Sequence, residues 1–276
     1  MPCLIRLLTP TDLIAVPTSA ASLAEAADLE PHDGVYTVAN TFEATKVLKL
    51  DAHLDRLERS AARAGIPLKL DRPRLRAALR QMILDAGCGD VRYRVTAPKD
   101  TPDRLILTVE PFKPVDAAIY ASGVRVVTLK GSVRHDPAAK TTDWMHDRKA
   151  IEAALPAGIY TGLLLSPEGD LLEGVSSNFY AILDGVLRTA SEGMLPGIAQ
   201  QVVFEVAPAV LPVRLEPVNL RDLPRISEAF ITSASRNIVP VVEIDGVRLG
   251  GGHPGAKTRA LRERYLAWVT EHLEEL

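Results

Sequence analysis

The sequence predicts an α+β fold divided into two domains. Helical and strand patterns mix along the chain without the regular strand–helix alternation of a doubly wound sheet. A length of 276 residues, 47% of them hydrophobic, allows two domains that each bury a core. Pro102, Pro111 and Pro114 interrupt the pattern and mark a connection between the domains. We therefore expect a smaller α/β domain over residues 1–115 and a larger α+β domain over residues 122–276.

Charge and cysteine content exclude several classes of protein. The formal net charge is −3 and no long run carries one sign, so neither nucleic acid nor an anionic membrane is an expected partner. No apolar stretch approaches the ~20 residues that span a bilayer, and residues 1–10 do not resemble a secretory signal. Cys3 and Cys88 are the only cysteines, which leaves no zinc motif and no disulfide framework. A cytoplasmic protein is the default expectation.

The first domain is predicted to combine strands with two helices. β-Branched and aromatic residues concentrate in its strand segments, which are expected at residues 34–39, 46–50, 91–96 and 105–109. Asp51 is the expected N-cap of the first helix, which ends at Gly65. The second helix follows Pro73 and stops before Gly87.

The second domain is predicted to be richer in strands and to contain two tight hairpins. Asp184-Gly185 and Asp245-Gly246 each join two apolar runs, and an Asp-Gly pair in that position favours a type I′ turn. Asp143 is expected to cap a helix that runs to Leu155. Further helices are expected at 198–207 and 256–273, and strands at 124–129, 161–165, 179–183, 186–189, 213–218, 229–233, 241–244 and 247–249.

Residues 173–200 carry the most specific pattern in the chain. They begin with Glu173 and the small polar run Gly174-Val175-Ser176-Ser177-Asn178, continue through the first hairpin, and end in Leu195-Pro196-Gly197-Ile198, which opens a helix. The N–H groups and the dipole of a helix N-terminus favour a bound phosphate. A carboxylate at one edge and a phosphate position at the other suit a flat, phosphorylated cofactor with a ring nitrogen.

The pattern E-G-x-S-S-N, a short hairpin and L-P-G-I resembles the signature of the class IV aminotransferases. These are fold-type IV enzymes that use pyridoxal 5′-phosphate (PLP), and they include branched-chain aminotransferases, D-amino-acid transaminases and aminodeoxychorismate lyases. The resemblance extends from about residue 34 to residue 266. It implies a fold like that of D-amino-acid aminotransferase, with the cofactor in the cleft between the two domains, and it implies a homodimer.

The resemblance implies that Lys140, in the second domain, is the catalytic lysine. PLP chemistry needs an amine that forms an imine with the aldehyde and then moves the Cα proton of the substrate. Lys140 precedes Glu173 by 33 residues, with an Ala-rich helix between them, and this is the spacing of the family. Lys149 and Lys130 are weaker candidates, because one lies within that helix and the other at the end of a strand.

The resemblance also assigns the other cofactor contacts. Glu173 keeps the ring nitrogen protonated, and Arg56, in H-L-D-R-L, binds the phosphate with its planar charged fork. The remaining cofactor-binding residues are expected to be Ser177, Asn178, Ile198, Ala199, Ala234 and Ser235. The family has hydroxyl side chains at or near the positions of Ala199 and Ala234, so more of the phosphate binding depends here on Arg56 and the main chain.

Three residues are the predicted substrate contacts: Tyr36, Thr37 and Arg94. Tyr36, in G-V-Y, matches an aromatic residue near the substrate carboxylate in D-amino-acid transaminases, and the transaminases normally have glutamate where this chain has Thr37. Arg94, Lys99 and Arg134 are candidates to meet a carboxylate, although a surface charge is the commoner role for each.

The preferred function is transfer of an amino group between an amino acid and a 2-oxo acid. A lyase that releases pyruvate from an aminodeoxychorismate-like substrate is the alternative, and Thr37 and Arg236 favour it. A non-enzymatic homologue that binds cofactor poorly is a second alternative, because two hydroxyl side chains are missing. The retention of Lys140, Glu173 and Arg56 together argues against that last hypothesis.

Overall fold

A computed structural model describes residues 2–132 and 134–276 of the chain. They form two compact units. The first unit consists of the chain up to Lys113 together with Ala139–Asp147 and His272–Leu276. The second unit consists of Pro114–Ala138 and Arg148–Glu271. Each unit combines a sheet with helices, which confirms the predicted α+β class. No helix in the described part of the chain is both long enough and apolar enough to cross a membrane.

The first unit is built on a five-stranded antiparallel sheet. Its strands in chain order, together with a short strand β4 outside the sheet, are β1 (Leu4–Leu8), β2 (Leu13–Ala15), β3 (Gly34–Asn40), β4 (Lys46–Leu48), β5 (Val91–Pro98) and β6 (Leu105–Pro111). The spatial order is β2-β1-β6-β5-β3, so β3 is an edge strand. Strand β4 pairs with the C-terminal strand Leu273–Glu275.

Three α-helices lie wholly within the described part of the first unit: α1 (Leu23–Ala26), α2 (Leu50–Arg63) and α3 (Arg72–Ala86). Helix α3 ends before Gly87 as predicted, with Gly87 in the left-handed region. It begins at Arg72, before Pro73 and therefore earlier than predicted, and Asp71 is its N-cap. The start of α2 differs from the prediction. Lys49 occupies the N-cap position with φ +47° and makes no side-chain cap bond. Asp51 lies in the first turn instead, where its charge favours the helix dipole.

The second unit contains a ten-stranded sheet. Its strands are β7 (Val124–Leu129), β8 (Thr161–Leu165), β9 (Asp170–Gly174), β10 (Ser177–Leu183), β11 (Val186–Arg188), β12 (Val213–Arg214), β13 (Val218–Asn219), β14 (Ile226–Ser233), β15 (Asn237–Ile244) and β16 (Val247–Arg248). The order is β12-β11-β10-β14-β15-β7-β8-β9-β13, with β16 on β15. Because β9 also pairs with β10, the six strands from β10 to β9 form a closed ring.

The helices of the second unit are α4 (Ala117–Ser122), α6 (Ile198–Val206), α7 (Ala256–Glu271) and the later part of α5 (Thr142–Ala153), which begins in the first unit. Helix α4 lies where the sequence indicated only a connection. Asp143 is in the first turn of α5 and is not its N-cap. Both Asp-Gly hairpins form as predicted, with φ of 52° and 77° at Asp184-Gly185 and of 50° and 80° at Asp245-Gly246.

Candidate active site

The backbone of Lys140 is held from two sides within the first unit. The N–H of Tyr36, on the edge strand β3, donates to the Lys140 carbonyl at 3.0 Å. The N–H of Lys140 donates to Ser60 Oγ, on α2, also at 3.0 Å. These bonds correct the expectation that the second domain carries this lysine, because they join residue 140 to a strand and a helix of the first unit.

The side chain of Lys140 lies against an aromatic ring. Its Nζ is 4.5 Å from the centroid of the Tyr36 ring, a cation–π contact. Tyr36 is buried and packs in a cluster with Ala27 and Met145. Lys130 and Lys149 are exposed at the surface, as expected of ordinary lysines. Lys140 thus has contacts within the first unit through both its backbone and its side chain.

One buried face of α2 contributes three polar side chains, His53, Arg56 and Ser60. Their spacing of three and four residues places them on the same side of a helix. Arg56 Nη2 donates to Thr37 Oγ1 at 3.4 Å, and Thr37 Oγ1 lies 2.9 Å from His53 Nδ1. We call Tyr36, Thr37, His53, Arg56, Ser60 and Lys140 the lysine cluster.

Two positive charges lie close to a neutral imidazole in the lysine cluster. Burial, with smaller effects from the positive charges of Arg56 and Lys140, holds the pKa of His53 well below its usual range. The imidazole is therefore uncharged at neutral pH, while Arg56 remains charged. Two cations around a neutral ring suit an anionic ligand such as a phosphate.

Thr37, a predicted substrate contact, points away from Tyr36. Successive residues of a strand face opposite sides of a sheet, so Thr37 cannot share the orientation of Tyr36. Tyr36 lies with Met145 and the Lys140 amine, whereas Thr37 is fully buried and faces α2. Its hydroxyl is bonded within the protein.

Arg94, another predicted substrate contact, is bonded within the first unit. It is buried, its Nε donates to Glu30 Oε1 at 2.7 Å, and its Nη1 donates to the Leu23 carbonyl at 2.9 Å. Burial raises the pKa of Glu30 even though Arg94 and Thr96 oppose the shift. These contacts make Arg94 part of the packing of the first unit, and we leave it out of the proposed site. Lys99, another of the carboxylate-binding candidates, pairs with Asp33 at the surface.

The sequence E-G-V-S-S-N forms a tight hairpin in the second unit. Strands β9 and β10 pair Gly174 with Ser177 and Glu173 with Asn178, so Val175-Ser176 is the turn. A Cβ on Gly174 would lie 2.3 Å from Ser177 Oγ, which explains the glycine. Strand β9 is absent from the sequence-based prediction, and it places Glu173 inside the sheet, where the carboxylate is buried.

Glu173 accepts hydrogen bonds from Arg134 and from the backbone of Leu195. Its Oε1 accepts from Arg134 Nη1 at 2.7 Å, and its Oε2 accepts from the Leu195 N–H at 3.1 Å. Arg134 is itself buried, so the commoner role of a surface charge does not apply to it. A carboxylate offers about four lone-pair positions, so these two bonds alone do not prevent Glu173 from accepting a bond from a ring N–H.

Asn178 binds the backbone carbonyl of Leu195, the residue whose N–H is bound by Glu173. The Asn178 Nδ2 donates to that carbonyl at 2.7 Å. The cross-strand neighbours Glu173 and Asn178 therefore bind the N–H and the C=O of one residue. A Cβ on Gly197 would lie 1.9 Å from Asn178 Oδ1, which makes glycine necessary there. We call residues 173–178 with residues 195–199 the signature hairpin.

The signature hairpin ends in the N-terminus of α6. Gly197 is the N-cap, with extended backbone and no side-chain cap bond, and Ile198 and Ala199 are buried in the first turn. The first N–H groups of such a helix are suited to a phosphate. Within the described part of the chain, Ser177 Oγ and Gln200 Nε2 are buried and have no hydrogen-bond partner, so they can bind a ligand.

The turn between β14 and β15 lies beside the signature hairpin. It contains Ala234 and Ser235. Arg236 Nη2 donates to the Ser176 carbonyl at 2.6 Å, and its Nε donates to Ser233 Oγ at 2.8 Å. These bonds join the two turns and use the guanidinium structurally. The interpretation of Arg236 as a feature favouring the lyase is weakened accordingly.

Sequence reasoning did not select His53 and Ser60, and it gave Arg134 a different partner. The helical spacing of His53, Arg56 and Ser60 is a visible signal, because it marks one face of α2. Arg134 is a sequence-based candidate for a substrate carboxylate, and it binds the carboxylate of Glu173 instead. It lies outside any helix or strand, so no local pattern indicates that partner.

The groups present fit PLP. The lysine cluster offers an amine and a second cation, and the signature hairpin offers a buried carboxylate and a helix N-terminus without a side-chain cap. These are the donors and acceptors that an aldehyde, a phosphate and a pyridine nitrogen require.

Comparison of the sequence with known proteins identifies the same family that the signature pattern resembles. The model of the family described as Amino-transferase class IV matches residues 34–244. A D-alanine aminotransferase of Listeria monocytogenes is 28% identical over 275 residues, covering 88% of this chain and 89% of that protein. A Methanocaldococcus jannaschii protein, provisionally named a branched-chain-amino-acid aminotransferase, is 28% identical over 253 residues, covering 84% of this chain and 86% of that one.

Solved structures give the same fold. The branched-chain amino acid aminotransferase of Escherichia coli has a TM-score of 0.83 at 19% identity, covering 99% of this chain and 97% of that one. A branched-chain amino acid aminotransferase solved with pyridoxamine 5′-phosphate has a TM-score of 0.81 at 20% identity, covering 98% of each chain. These likenesses confirm fold-type IV, and with the family match they show that this chain belongs to the class IV aminotransferases, which use PLP.

Proposed function

We propose that this chain is a PLP-dependent aminotransferase that moves an amino group between an amino acid and a 2-oxo acid. The observation that carries the proposal is the placement of Lys140, whose backbone is bonded to β3 and α2 and whose amine lies over Tyr36. The membership in the class IV aminotransferases implies that this lysine is the group that reacts with PLP and moves the substrate proton.

Each residue has a distinct part in the reaction. PLP, when bound, supplies an aldehyde and a ring that withdraws electrons from the substrate Cα. Lys140 would hold the aldehyde carbon through Nζ before the amino donor arrives, and its freed amine would then take up and return the Cα proton. Arg56 binds the phosphate with charged N–H donors. Glu173 holds a proton on the ring nitrogen, and its bonds to Arg134 and Leu195 fix the orientation of the carboxylate.

The remaining contacts are proposed from chemistry and position. Ile198 and Ala199 offer main-chain N–H groups to the phosphate at the start of α6. Ser177 Oγ can bind cofactor directly, whereas the contacts of Asn178 with Leu195 make it a positioning residue. Ala234 and Ser235 contribute through their turn, where the Ser235 hydroxyl can replace the one that Ala234 lacks. Tyr36 orients the amine and the substrate.

The substrates of the named relatives guide the choice of amino donor. Relatives carry the names D-alanine aminotransferase and branched-chain-amino-acid aminotransferase, so we propose D-alanine and the branched-chain L-amino acids as the first donors to test. We further propose a cytoplasmic homodimer. Sedimentation at micromolar concentration, with monomer as the contrary result, tests the oligomeric state.

One experiment tests the reaction. Each donor is added to the PLP-loaded protein, and conversion to pyridoxamine 5′-phosphate is followed by absorbance and chromatography. A 2-oxo acid should then restore PLP. Borohydride reduction before the donor is added, followed by peptide mapping, should place the pyridoxyl group on Lys140. Release of pyruvate from an aminodeoxychorismate substrate without exchange of any amino group would overturn the proposal in favour of the lyase.

A further inference from the structure

We propose that Thr37 and His53 are positioning residues that hold Arg56 in place for the phosphate of PLP. The inference rests on the proposed function, because it concerns how a phosphate-binding arginine is oriented. It assigns a role to two buried side chains that need touch neither the cofactor nor the substrate.

The three side chains form a chain of contacts inside the first unit. Arg56 Nη2 is 3.4 Å from Thr37 Oγ1, and Thr37 Oγ1 is 2.9 Å from His53 Nδ1. All three are buried, with exposed fractions of 6% for Arg56, 0% for Thr37 and 2% for His53. A buried hydroxyl and imidazole this close to a buried guanidinium restrict the rotamers that the arginine can adopt.

The Thr37 hydroxyl can link the other two groups by accepting a hydrogen bond from Arg56 and donating one to His53. Arginine only donates, so Thr37 Oγ1 accepts from Arg56. The threonine hydroxyl has a single proton, which it can give to His53 Nδ1 if the ring carries its own proton on Nε2. A doubly protonated imidazole could not accept that bond. Burial and the positive charges of Arg56 and Lys140 hold the pKa of His53 well below its usual range, which keeps Nδ1 able to accept.

The functional consequence comes from preorganisation. An unrestrained arginine side chain samples many rotamers, and part of that freedom is lost when it binds a phosphate. Contacts that fix the guanidinium before PLP arrives remove part of that loss from the binding step. The alternative is that Thr37 and His53 only fill the core, in which case they set the stability of the protein and not its affinity for PLP.

A matched pair of substitutions at Thr37 separates the two roles. Thr37→Val keeps the shape and removes the hydroxyl, and Thr37→Ser keeps the hydroxyl. We expect Thr37→Val to raise the dissociation constant of PLP by about three- to ten-fold, the effect of one net hydrogen bond, and Thr37→Ser to restore it to within about two-fold. The dissociation constant is measured by fluorescence titration, with the melting temperature of the PLP-free protein as the measure of structural damage.

A double-mutant cycle tests whether Thr37 acts through Arg56. Arg56→Ala removes the group that the hydroxyl is proposed to position. In that background Thr37→Val should change the dissociation constant of PLP by less than about 1.5-fold. Equal effects of Thr37→Val with and without Arg56 would overturn the proposal, because the hydroxyl would then act independently of the arginine.

His53 provides a second route that does not depend on the threonine variants. His53→Asn can place an amide oxygen near the position of Nδ1, whereas His53→Leu removes the acceptor. We expect Leu to weaken PLP binding by about three- to ten-fold and Asn to recover at least half of that loss on a logarithmic scale. In the unsubstituted protein, ¹⁵N NMR should show the ring proton of His53 on Nε2, and a proton on Nδ1 at neutral pH would overturn the proposed arrangement.

The outcomes also distinguish this inference from the proposed function. If the unsubstituted protein does not bind PLP on Lys140, the proposed function itself fails. If it binds PLP on Lys140 but Thr37→Val and His53→Leu leave the dissociation constant unchanged, the function stands and the positioning role is wrong. A lower melting temperature with unchanged affinity leads to the same conclusion.

Discussion

The lysine cluster of the first unit and the signature hairpin of the second are built in different ways. The lysine cluster joins side chains from three segments that are far apart in the sequence, and its contacts connect residues between 16 and 104 positions apart. The signature hairpin joins residues within one stretch, largely through backbone groups: Glu173 and Asn178 hold the N–H and C=O of Leu195, and Gly197 allows the close approach.

This difference separates two ways of losing activity. A substitution in the lysine cluster changes a reacting or charged group while the strands and helices around it remain. A substitution in the signature hairpin changes where the backbone runs and therefore affects stability together with binding. The lysine cluster should thus show large functional effects at small cost in stability, and the signature hairpin should show both effects together.

The largest expected effect is in the lysine cluster. Lys140→Ala should lower kcat by at least about 10²- to 10⁴-fold, the range of a positioned acid–base group, because it removes the amine that carries the substrate proton. The melting temperature of the PLP-free protein should change little, since the backbone bonds of residue 140 to Tyr36 and Ser60 do not need the side chain. Stopped-flow measurement of the amino-donor half-reaction gives the rate. Lys149→Ala, at an exposed position, is the control and should retain the full rate.

The next largest effect is on the affinity for PLP, which is compared between one substitution in the lysine cluster and one in the signature hairpin. Arg56→Ala should raise the dissociation constant of PLP by roughly ten- to a hundred-fold, because a charge-assisted bond contributes about 1.5–3 kcal/mol. Ala199→Thr should lower it, since the new hydroxyl would lie in the first turn of α6. Titration of the PLP-free protein measures both. Arg59→Ala, on the exposed side of α2, is the matched control, and an equal loss there would remove Arg56 from the phosphate site.

The sequence predicts the turn and the helix that follow residues 173–178 better than it predicts the lysine cluster, for a physical reason. An Asp-Gly turn and a helix that follows a glycine are decided by neighbouring residues, so the hairpin at residues 184–185 and helix α6 appear where expected. Strand β9 is missed because D-L-L-E-G does not alternate, and its bonds come from strands on either side of it in the sheet.

The lysine cluster depends on contacts that no local pattern specifies. Arg56 and Lys140 are identified by resemblance to a family. The same resemblance puts Thr37 beside Tyr36 on the substrate side, although the two-residue period of a strand already assigns the two side chains to opposite faces. The partners that hold them, Ser60 and His53, follow from tertiary packing.

A smaller effect tests the backbone character of the signature hairpin. Gly197→Ala would bring a Cβ within 1.9 Å of Asn178 Oδ1, so the amide must move and release the Leu195 carbonyl. We expect a loss of about 1–3 kcal/mol in the free energy of unfolding and weaker PLP binding in the same variant. Urea unfolding and PLP titration measure the two effects.

The control for Gly197 is a glycine with open space around it. Gly185 has φ +77°, and a Cβ added there would have no atom within 4 Å. Gly185→Ala should therefore cost only the strain of a left-handed residue, about 1–2 kcal/mol, with no change in PLP affinity. Unchanged PLP affinity in Gly197→Ala would break the comparison, because the signature hairpin would then not link backbone position to binding.

The smallest effect concerns the charge of the lysine cluster. The pKa of His53 is lower in the folded protein than its usual value, chiefly because the ring is buried and also because Arg56 and Lys140 are positive. As the pH falls below about 6.5, the usual pKa of histidine, the unfolded chain takes up a proton at His53 before the folded chain does. His53 therefore contributes stability that is present above that pH and is lost as the pH falls.

The free energy of unfolding of the PLP-free protein should accordingly fall more steeply with acidification than that of His53→Asn. The expected difference in slope is up to about 1.4 kcal/mol per pH unit, the value for one proton, between roughly pH 6.5 and the lower pKa of the folded state. The other histidines are present in both proteins and cancel in the comparison. Urea unfolding at a series of pH values measures the slopes. Parallel slopes would mean that His53 titrates normally in the folded protein, so the ring would be charged at mildly acidic pH and could not accept the Thr37 proton there.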